Sequence, residues 1–266
     1  MLPNALFLNV HMYGIMVAVG ILCCFLVLYL YAKKLSIEEK LTDFVFYNGV
    51  ASILVGFGCA ALFQALYNYL EHPERGFRLG GGITFIGGLL GGAGFFLIIY
   101  FLLRKRLSLH LFRILPVIPC MITVGHAFGR VGCFFAGCCY GKVSDCIFAV
   151  RFPGMTEKVH PTQLYEAVFL FVLFAVLSWL LLRKKFRYTM SIYLISYGVF
   201  RFLLEFLRGD DRGKWLGVLS PSQFWSVVMV IIGIVWFFAE RKLTAHADAA
   251  TAPEHREVTT DESTSR

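Results

Sequence analysis

The dominant feature of the sequence is a succession of apolar runs, each long enough to cross a lipid bilayer. A transmembrane helix needs about 20 mostly apolar residues. Seven such runs occur, near residues 11–32, 44–68, 85–103, 112–135, 161–182, 189–207 and 220–239. Hydrophobic residues make up 58% of the chain and charged residues 16%, whereas soluble domains average about 25% charged residues. The sequence therefore predicts an all-α, polytopic integral membrane protein with about seven transmembrane helices.

Clusters of basic residues follow every second apolar run. They are Lys33, Lys34 and Lys40; Arg104, Lys105, Arg106 and Arg113; Arg183, Lys184, Lys185 and Arg187; and Arg241 with Lys242. Because Lys and Arg are enriched in cytoplasmic loops, we expect the N-terminus outside and the C-terminus in the cytoplasm. The remaining loops then lie on the extracytoplasmic side.

The net charge of +8 comes from these loop clusters rather than from one basic face. Such a distribution favours contact with anionic membrane lipids and argues against nucleic acid as a partner. Residues 1–243 are predicted to form one transmembrane domain. Residues 244–266 are rich in Ala, Thr, Ser, Asp and Glu, which predicts a disordered cytoplasmic tail.

Several charged side chains fall inside apolar runs, at their predicted extracytoplasmic ends. An arginine in such a run costs several kcal/mol unless it faces a partner or a wet cavity, so Arg130 calls for an anionic partner. In the sixth run Arg201, Glu205 and Arg208 are spaced i, i+4 and i+7, which predicts one stripe of a helix. Guanidinium groups match phosphate oxygens in pairs, so the stripe favours a phosphate site. An interhelical ion network is the alternative.

Other polar residues occur at the same predicted depth. They are Tyr13, His126, His160, Gln163 and Gln223. His126 lies one turn before Arg130, on the same face if the helix is regular. It is a candidate base, and a hydrogen-bonded interior histidine is the alternative.

A glycine-rich segment stands between the second and third runs. Gly80, Gly81 and Gly82 favour a loop, in which backbone N–H groups can face an anion. Gly87, Gly88, Gly91 and Gly92 can serve the same purpose or allow close packing of two helices.

Four of the eight cysteines gather at or beyond the end of the fourth run. Cys133, Cys138, Cys139 and Cys146 stand where disulfides can form, whereas Cys23, Cys24, Cys59 and Cys120 lie within apolar runs. Their spacing does not match a usual zinc pattern, so a metal site is the least favoured of three interpretations. The other two are structure or a disulfide, and a catalytic thiol beside cationic neighbours.

The chain resembles the prolipoprotein diacylglyceryl transferases over most of residues 2–242. The resemblance rests on Tyr13-Gly14, the glycine-rich segment, Gly129-Arg130-x-Gly132, His160-Pro-x-Gln163-Leu-Tyr165-Glu166, Arg201-Phe-x-x-Glu205-Phe-x-Arg208 and Gln223. The family has seven spans with its N-terminus outside. It moves the diacylglyceryl group of phosphatidylglycerol onto the cysteine thiol of a prolipoprotein signal peptide and releases glycerol phosphate.

The resemblance implies roles for particular residues, with no metal and no cofactor. Arg130, Arg201 and Arg208 would hold the phosphate, and Glu205 would orient the arginines. The predicted catalytic set is Tyr13, Arg130, Arg201 and Glu205, to which His126 is added for its position one turn from Arg130. The implied substrate-binding set is Gly87, Gly88, Gly129, Gly132, His160, Gln163, Arg208 and Gln223. The implied location is the bacterial cytoplasmic membrane, with the site facing outward.

The sequence also departs from the family pattern. The family's outer loop usually reads His-Gly-Gly, with a histidine thought to assist thiol deprotonation, and this chain has Ile86 there. Polar family positions after Gly-Arg-x-Gly are Cys133, Ala136 and Cys138 here. His126 or His160 would then replace the missing base. A transferase with the same donor and another acceptor, and a non-catalytic phospholipid-binding protein, are the alternatives.

Overall fold

Seven long helices make up the part of the chain that the structure describes. The computed structural model describes residues 11–80, 82, 84–209 and 219–251. The helices are α1 (Met12–Lys34), α2 (Glu39–Glu71), α3 (Phe85–Leu107), α4 (Ile118–Ala136), α5 (Thr162–Arg183), α6 (Thr189–Leu204) and α7 (Pro221–Thr251). All seven are long and apolar enough to cross a membrane. The prediction of an all-α membrane protein is confirmed.

Three helix ends differ from the predicted runs. α4 begins at Ile118 rather than near residue 112, because Leu111–Arg113 form a 3-10 turn and Pro116 precedes the helix. α6 ends at Leu204 and is followed by a 3-10 turn, Glu205–Leu207. α7 continues to Thr251, inside the predicted disordered tail. Residues 252–266 lie outside the described part of the chain, so disorder there stays a prediction.

Small residues let neighbouring helices approach closely. At Gly20 of α1, a Cβ atom would stand 3.0 Å from the carbonyl oxygen of Gly125 in α4. At Gly92 of α3, it would stand 2.9 Å from the carbonyl oxygen of Ser52 in α2, and Gly198 of α6 meets Ser226 of α7 at the same separation. Close packing through small residues is typical of transmembrane helices, because lipid provides no hydrophobic drive between them.

The apolar core lies among α1, α2, α4, α5 and α6. Its fully buried side chains include Leu28, Ile114, Leu170 and Leu177. Large apolar side chains on the outer faces are exposed, among them Leu22, Leu54, Leu102 and Val168. In a membrane those exposed faces would contact lipid, which has the same polarity.

Successive helices run in opposite directions, so their ends meet at two levels. The start of α1 packs against the end of α4, where Tyr13 contacts Gly132. The starts of α3, α5 and α7 and the ends of α2, α4 and α6 share that level, which we call the site end. The basic residues that close α1, α3 and α5 lie at the other end. The connection between α4 and α5, residues 137–161, is therefore at the site end.

Candidate active site

A fully buried carboxylate stands at the centre of the site end. Glu166, on the second turn of α5, has 0% relative exposure. Its Oε2 atom is 3.0 Å from Nε of Arg130, which lies near the end of α4. Burying either charge alone would cost several kcal/mol, so the two groups stabilise one another. The anionic partner that Arg130 required is thus within the protein.

Two further side chains contact the same carboxylate. The hydroxyl of Tyr197, on α6, donates a hydrogen bond to Oε1 of Glu166 at 2.7 Å. Nε2 of His126 is 3.6 Å from that oxygen, and the His126 ring meets the Tyr197 ring edge-on at 5.3 Å between centroids. Because His126 and Arg130 are one turn apart on α4, both reach Glu166. The interaction links α4, α5 and α6.

A second ion pair lies where α6 meets α7. Nη1 of Arg201 is 2.7 Å from Oε2 of Glu205. Nη2 of Arg201 donates to the Ser222 hydroxyl at 3.1 Å, and the Ser220 hydroxyl donates to Oε1 of Glu205 at 3.0 Å. The pair is nearly enclosed, with side-chain exposures of 10% and 7%. Glu205 therefore contacts Arg201 directly, and its role in orienting the arginines stays a prediction.

Gln223 has a capping role at the start of α7. Its Oε1 atom accepts a hydrogen bond from the Ser220 backbone N–H at 3.0 Å, and its own N–H donates to the Ser220 hydroxyl at 3.2 Å. This reciprocal arrangement is a capping box. A role for Gln223 in substrate binding stays a prediction.

The expectation of one helical stripe for Arg201, Glu205 and Arg208 is wrong. The helix ends at Leu204, and Arg208 has an extended backbone after the 3-10 turn. Its backbone pairs with Gly141 in an isolated bridge, so Arg208 lies against the connection between α4 and α5. Arg208 is 5% exposed. Tertiary contacts, rather than helix periodicity, place it at the site end.

Ionic side chains are concentrated at the site end. Arg130, Arg201 and Arg208 contribute three positive charges, and Glu166 and Glu205 contribute two negative charges. A guanidinium offers five N–H donors, more than one carboxylate contact uses. Five ionic side chains, three of them cationic, thus share this part of the protein.

An apolar cavity opens beside this cluster. It lies between α1 and the α2–α3 pair and has a volume of about 530 Å³. Tyr13, Phe57, Gly88, Leu89 and Phe96 are among the residues that line it. Tyr13 also packs its ring 3.1 Å from the position of a Cβ atom at Gly132. Tyr13 therefore stands between the cavity and the end of α4 that carries Arg130.

The remaining predicted glycines divide into two groups. Gly87 and Gly91 of α3 pack tightly on Phe63 and Cys59 of α2, so the helix-packing interpretation is confirmed for them. Gly129 has no atom within 4 Å of where its Cβ would be, so it leaves open space one residue before Arg130. Ile86, at the family's histidine position, is 59% exposed. Gly81 lies outside the described residues.

The connection between α4 and α5 is held by hydrogen bonds to the start of α5 and to the 3-10 turn after α6. Gln163 donates from Nε2 to the carbonyl oxygen of Cys138, and the Thr162 hydroxyl donates to that of Cys139 at 2.8 Å. The Lys142 N–H donates to the Leu207 carbonyl at 2.8 Å. At Gly141 a Cβ atom would stand 2.4 Å from that carbonyl oxygen, so a larger residue would not fit. Gln163 thus positions the cysteine segment, and binding of a substrate by Gln163 stays a prediction.

The four outer cysteines separate into a cluster of three and one apart. The Sγ atoms of Cys133, Cys138 and Cys139 all lie within 4.8 Å of one another, and all are free thiols. Sγ of Cys146 is instead 3.5 Å from Nδ1 of His160. The pKa of Cys139 is lowered because the Cys133 and Cys138 thiols hydrogen-bond to it and the Arg208 guanidinium lies beside it.

His160 is held away from the buried carboxylate. Its Nδ1 atom is 3.2 Å from the Tyr165 hydroxyl, in addition to the Cys146 contact. Its carbonyl oxygen accepts from Gly141 at 2.8 Å. Of the two histidines predicted as replacement bases, the structure therefore brings only His126 into contact with the ion pairs. The roles of both histidines stay predictions.

Comparison with known proteins assigns the chain. The family model for prolipoprotein diacylglyceryl transferases matches residues 3–239. The chain belongs to the prolipoprotein diacylglyceryl transferase family. It is 35% identical over 243 residues to a phosphatidylglycerol–prolipoprotein diacylglyceryl transferase of Clostridium tetani, covering 88% of this chain and 94% of the relative. Proteins of the same name from Marinomonas sp. and Pseudomonas paraeruginosa are 33% and 34% identical, over 92% and 91% of this chain and 94% of each relative.

Two residues that the structure places at the centre of the site end are not predicted from the sequence. Glu166 stands in the motif that begins at His160, but the motif does not mark it as the partner of Arg130, and Tyr197 is not among the predicted site residues. The demand of Arg130 for an anion was the available signal. It could not choose among several acidic residues, because the choice depends on how α4, α5 and α6 pack.

Proposed function

We propose that this chain transfers the diacylglyceryl group of phosphatidylglycerol to the cysteine thiol of a prolipoprotein signal peptide. The observation that carries the proposal is the presence of three largely enclosed arginines, Arg130, Arg201 and Arg208, at the site end. It stands beside an apolar cavity in a chain that matches the family over nearly its whole length. A phospholipid combines the two properties that these neighbouring sites select, namely an anionic phosphate and apolar chains.

The arginines act on the phosphate. Attack by the acceptor sulfur on the glyceryl carbon forms a C–S bond and breaks the bond from that carbon to the phosphate oxygen. The electron pair leaves with glycerol phosphate, so negative charge grows on the phosphate during the step. Guanidinium groups fixed in advance by Glu166 and Glu205 stabilise that charge without reorganising, which is the largest source of catalysis in many enzymes.

The cavity between α1 and the α2–α3 pair takes part of the diacylglyceryl group. Its lining is almost entirely apolar, and Tyr13 lies at its boundary with α4. Burying acyl carbons contributes about 0.8 kcal/mol for each CH2 group. Binding energy from the chains would then hold the reacting carbon near the arginines.

His126 is the base that we favour for the acceptor thiol. It contacts Glu166 at 3.6 Å and is 28% exposed, so it links the interior cluster with accessible space. A base must lie within hydrogen-bonding reach of the proton that it takes. His160 is engaged with Cys146 and Tyr165 and is therefore a weaker candidate.

The site faces the extracytoplasmic side of the bacterial cytoplasmic membrane in this proposal. The chain is a multi-pass membrane protein, and its basic helix ends lie opposite the site end. Basic loops stay in the cytoplasm, which orients the site end outward. Prolipoproteins and phosphatidylglycerol would therefore meet the enzyme from the outer leaflet.

The test is a transfer assay on the purified full-length protein in detergent micelles. Labelled phosphatidylglycerol and a peptide with the signal-peptide cysteine are added, and the peptide mass and released glycerol phosphate are measured. We expect the mass of the diacylglyceryl group on the peptide. Arg201→Ala should lower the rate by about 100-fold or more. Arg183→Ala, an exposed arginine at the other end of α5, should leave the rate unchanged.

The outcomes separate the alternatives. Release of glycerol phosphate with an unmodified peptide indicates another acceptor. Binding of phosphatidylglycerol without release indicates a non-catalytic lipid-binding protein. Either result, obtained beside an active family member, contradicts the proposed transfer.

A further inference from the structure

Three thiol groups, those of Cys133, Cys138 and Cys139, lie close together, whereas a disulfide joins only two. Cys133, Cys138 and Cys139 place three Sγ atoms within 4.8 Å of one another. Around a tetrahedral zinc ion, with Zn–S distances of about 2.3 Å, neighbouring sulfur atoms are about 3.8 Å apart. Small side-chain rotations would therefore bring all three thiols to one ion.

Local backbone structure creates the cluster. α4 ends at Ala136, and Gly137 adopts the left-handed conformation with φ of 68°. The N–H groups of Gly137 and Cys138 donate to the carbonyls of Phe134 and Cys133, at 3.1 and 3.2 Å. This is a Schellman motif, which returns the chain over the last helical turn. The motif brings Cys138 back to Cys133, although five positions separate them.

The surroundings suit a thiolate site. Gln163 and Thr162 hold the carbonyl groups of Cys138 and Cys139, so the backbone that carries the ligands is fixed in advance. The Arg208 guanidinium lies beside the Cys139 sulfur. Three thiolates with one divalent ion carry a net charge of −1, which a neighbouring arginine can balance.

We propose that Cys133, Cys138 and Cys139 form a binding site for one soft divalent cation of the zinc class. Sulfur ligands select such ions over magnesium or calcium, which prefer oxygen. Cys146 lies outside the site because it contacts His160. The chain thus supplies three ligands, and an exogenous ligand completes the tetrahedron, as in zinc sites that react with substrates.

The acceptor thiol is the ligand that the site selects, an extension that rests on the proposed function. A thiol that coordinates zinc gives up its proton, here to solvent or to His126, and is held as a thiolate. The thiolate sulfur then donates its electron pair to the glyceryl carbon, the C–O bond to phosphate breaks, and glycerol phosphate leaves with that pair. The thioether product is a weaker ligand and departs. Metal binding would thus assist deprotonation of the acceptor thiol. In the family this step is assigned to the loop histidine, and this chain has Ile86 at that position.

The first experiment measures the metal directly. Metal-free, reduced full-length protein in detergent is titrated with Co²⁺, whose thiolate complexes absorb by charge transfer, and then with Zn²⁺. We expect about one Co²⁺ per chain, displaced by Zn²⁺. Cys133→Ser, Cys138→Ser and Cys139→Ser should each weaken binding by at least about tenfold. Cys59→Ser and Cys146→Ser should not change it.

A rescue variant guards against misfolding. Cys138→His replaces one zinc ligand by another, so it should bind Co²⁺ more tightly than Cys138→Ser does. Absence of thiolate-to-cobalt absorption in the wild-type protein contradicts the proposal. Wild-type Co²⁺ affinity in the Cys133→Ser and Cys139→Ser variants contradicts it as well, and so does isolation of the native protein with a disulfide within the cluster.

The second experiment tests the acceptor and separates this inference from the proposed function. A signal-peptide cysteine should shift the Co²⁺ spectrum, and the same peptide with serine should not. If the shift is absent, or if metal-free protein modifies the peptide at the wild-type rate, the role of the ion is wrong and the transferase function stands. If the spectrum shifts but zinc-loaded protein never modifies the peptide, the site stands and the proposed function is wrong.

Discussion

The ion pairs around Glu166 and the three-thiol cluster lie at the same end of the bundle, but they are assembled in different ways. Arg130, Glu166 and Tyr197 come from three helices and meet only when those helices pack. Cys133, Cys138 and Cys139 come from one turn and its continuation. The first arrangement depends on tertiary structure and the second on a local backbone motif. Substitutions should therefore affect the two regions independently.

The largest expected effect is the loss of the buried carboxylate. Glu166→Ala leaves Arg130 in the protein interior without its anion, which should lower the free energy of unfolding by about 3–5 kcal/mol. We expect a strongly lowered melting temperature in detergent and loss of transfer activity.

The matched control for Glu166 is an ion pair on the surface. Glu38 and Arg113 are 2.5 Å apart, with side-chain exposures of 49% and 57%. Glu38→Ala should cost only about 0–1 kcal/mol, because water screens the pair. Equal shifts in melting temperature for the two variants would contradict the buried role of Glu166.

A smaller effect is expected from the hydroxyl that holds Glu166. Tyr197→Phe removes one hydrogen bond to a charged, buried group, which is worth about 1.5–3 kcal/mol. Tyr67→Phe removes the same kind of bond, at 2.7 Å to Glu71, on the exposed surface. Thermal unfolding of the two variants should show a clear loss for Tyr197 and little for Tyr67. Unchanged Co²⁺ binding in Tyr197→Phe would confirm that the two regions are independent.

A substitution in the turn after α4 should affect metal binding by the thiols more than it affects the stability of the fold. Gly137→Ala forces a side chain into the left-handed conformation at a cost of about 1–2 kcal/mol. We expect weaker Co²⁺ binding by the cluster and a small fall in melting temperature. Gly58→Ala, in α2 with no atom within 4 Å of the added group, is the control. If Gly137→Ala left metal affinity unchanged, the turn would not be what assembles the thiols.

The smallest expected effect concerns the cysteine outside the cluster. The pKa of Cys146 is lowered, chiefly by a hydrogen bond with Ser144. A free thiol ordinarily has a pKa of about 8.5, so a lowered pKa means more thiolate at pH 7. Ser144→Ala should raise the pKa of Cys146, so alkylation by iodoacetamide at pH 7 should slow about threefold. At pH 10 both forms are thiolate and the rates should agree, as mass spectrometry of the Cys146 peptide can check.

The sequence predicted the helices well because bilayer thickness and residue polarity decide them. Each of the seven apolar runs became a helix within about five residues of its expected bounds, except where Pro116 delays α4 and where α7 continues to Thr251. The prediction that Arg208 lies on a helical stripe was wrong, because such a stripe requires a continuous helix. α6 is instead followed by a 3-10 turn that begins at Glu205.

The grouping of the three thiols could not be predicted from the linear spacing of the cysteines, for a physical reason. Linear spacing rules describe the ligand loops of familiar zinc sites. Here the Schellman motif at Gly137 folds the chain back, so residues 133, 138 and 139 meet without such a loop. The glycine that ends the helix was visible in the sequence, but its effect on the sulfur positions was not.

By itself the sequence determined that the chain crosses a membrane through seven helices and carries arginines that demand anions, because both follow from the cost of placing charge in lipid. Only the tertiary structure decided which anion meets Arg130. Glu166 does so through the packing of α4 against α5, whereas Arg201 and Glu205 are neighbours at positions i and i+4 of the chain. Polarity is a property of each residue, whereas the Arg130–Glu166 pair depends on a distance between helices that no single segment encodes.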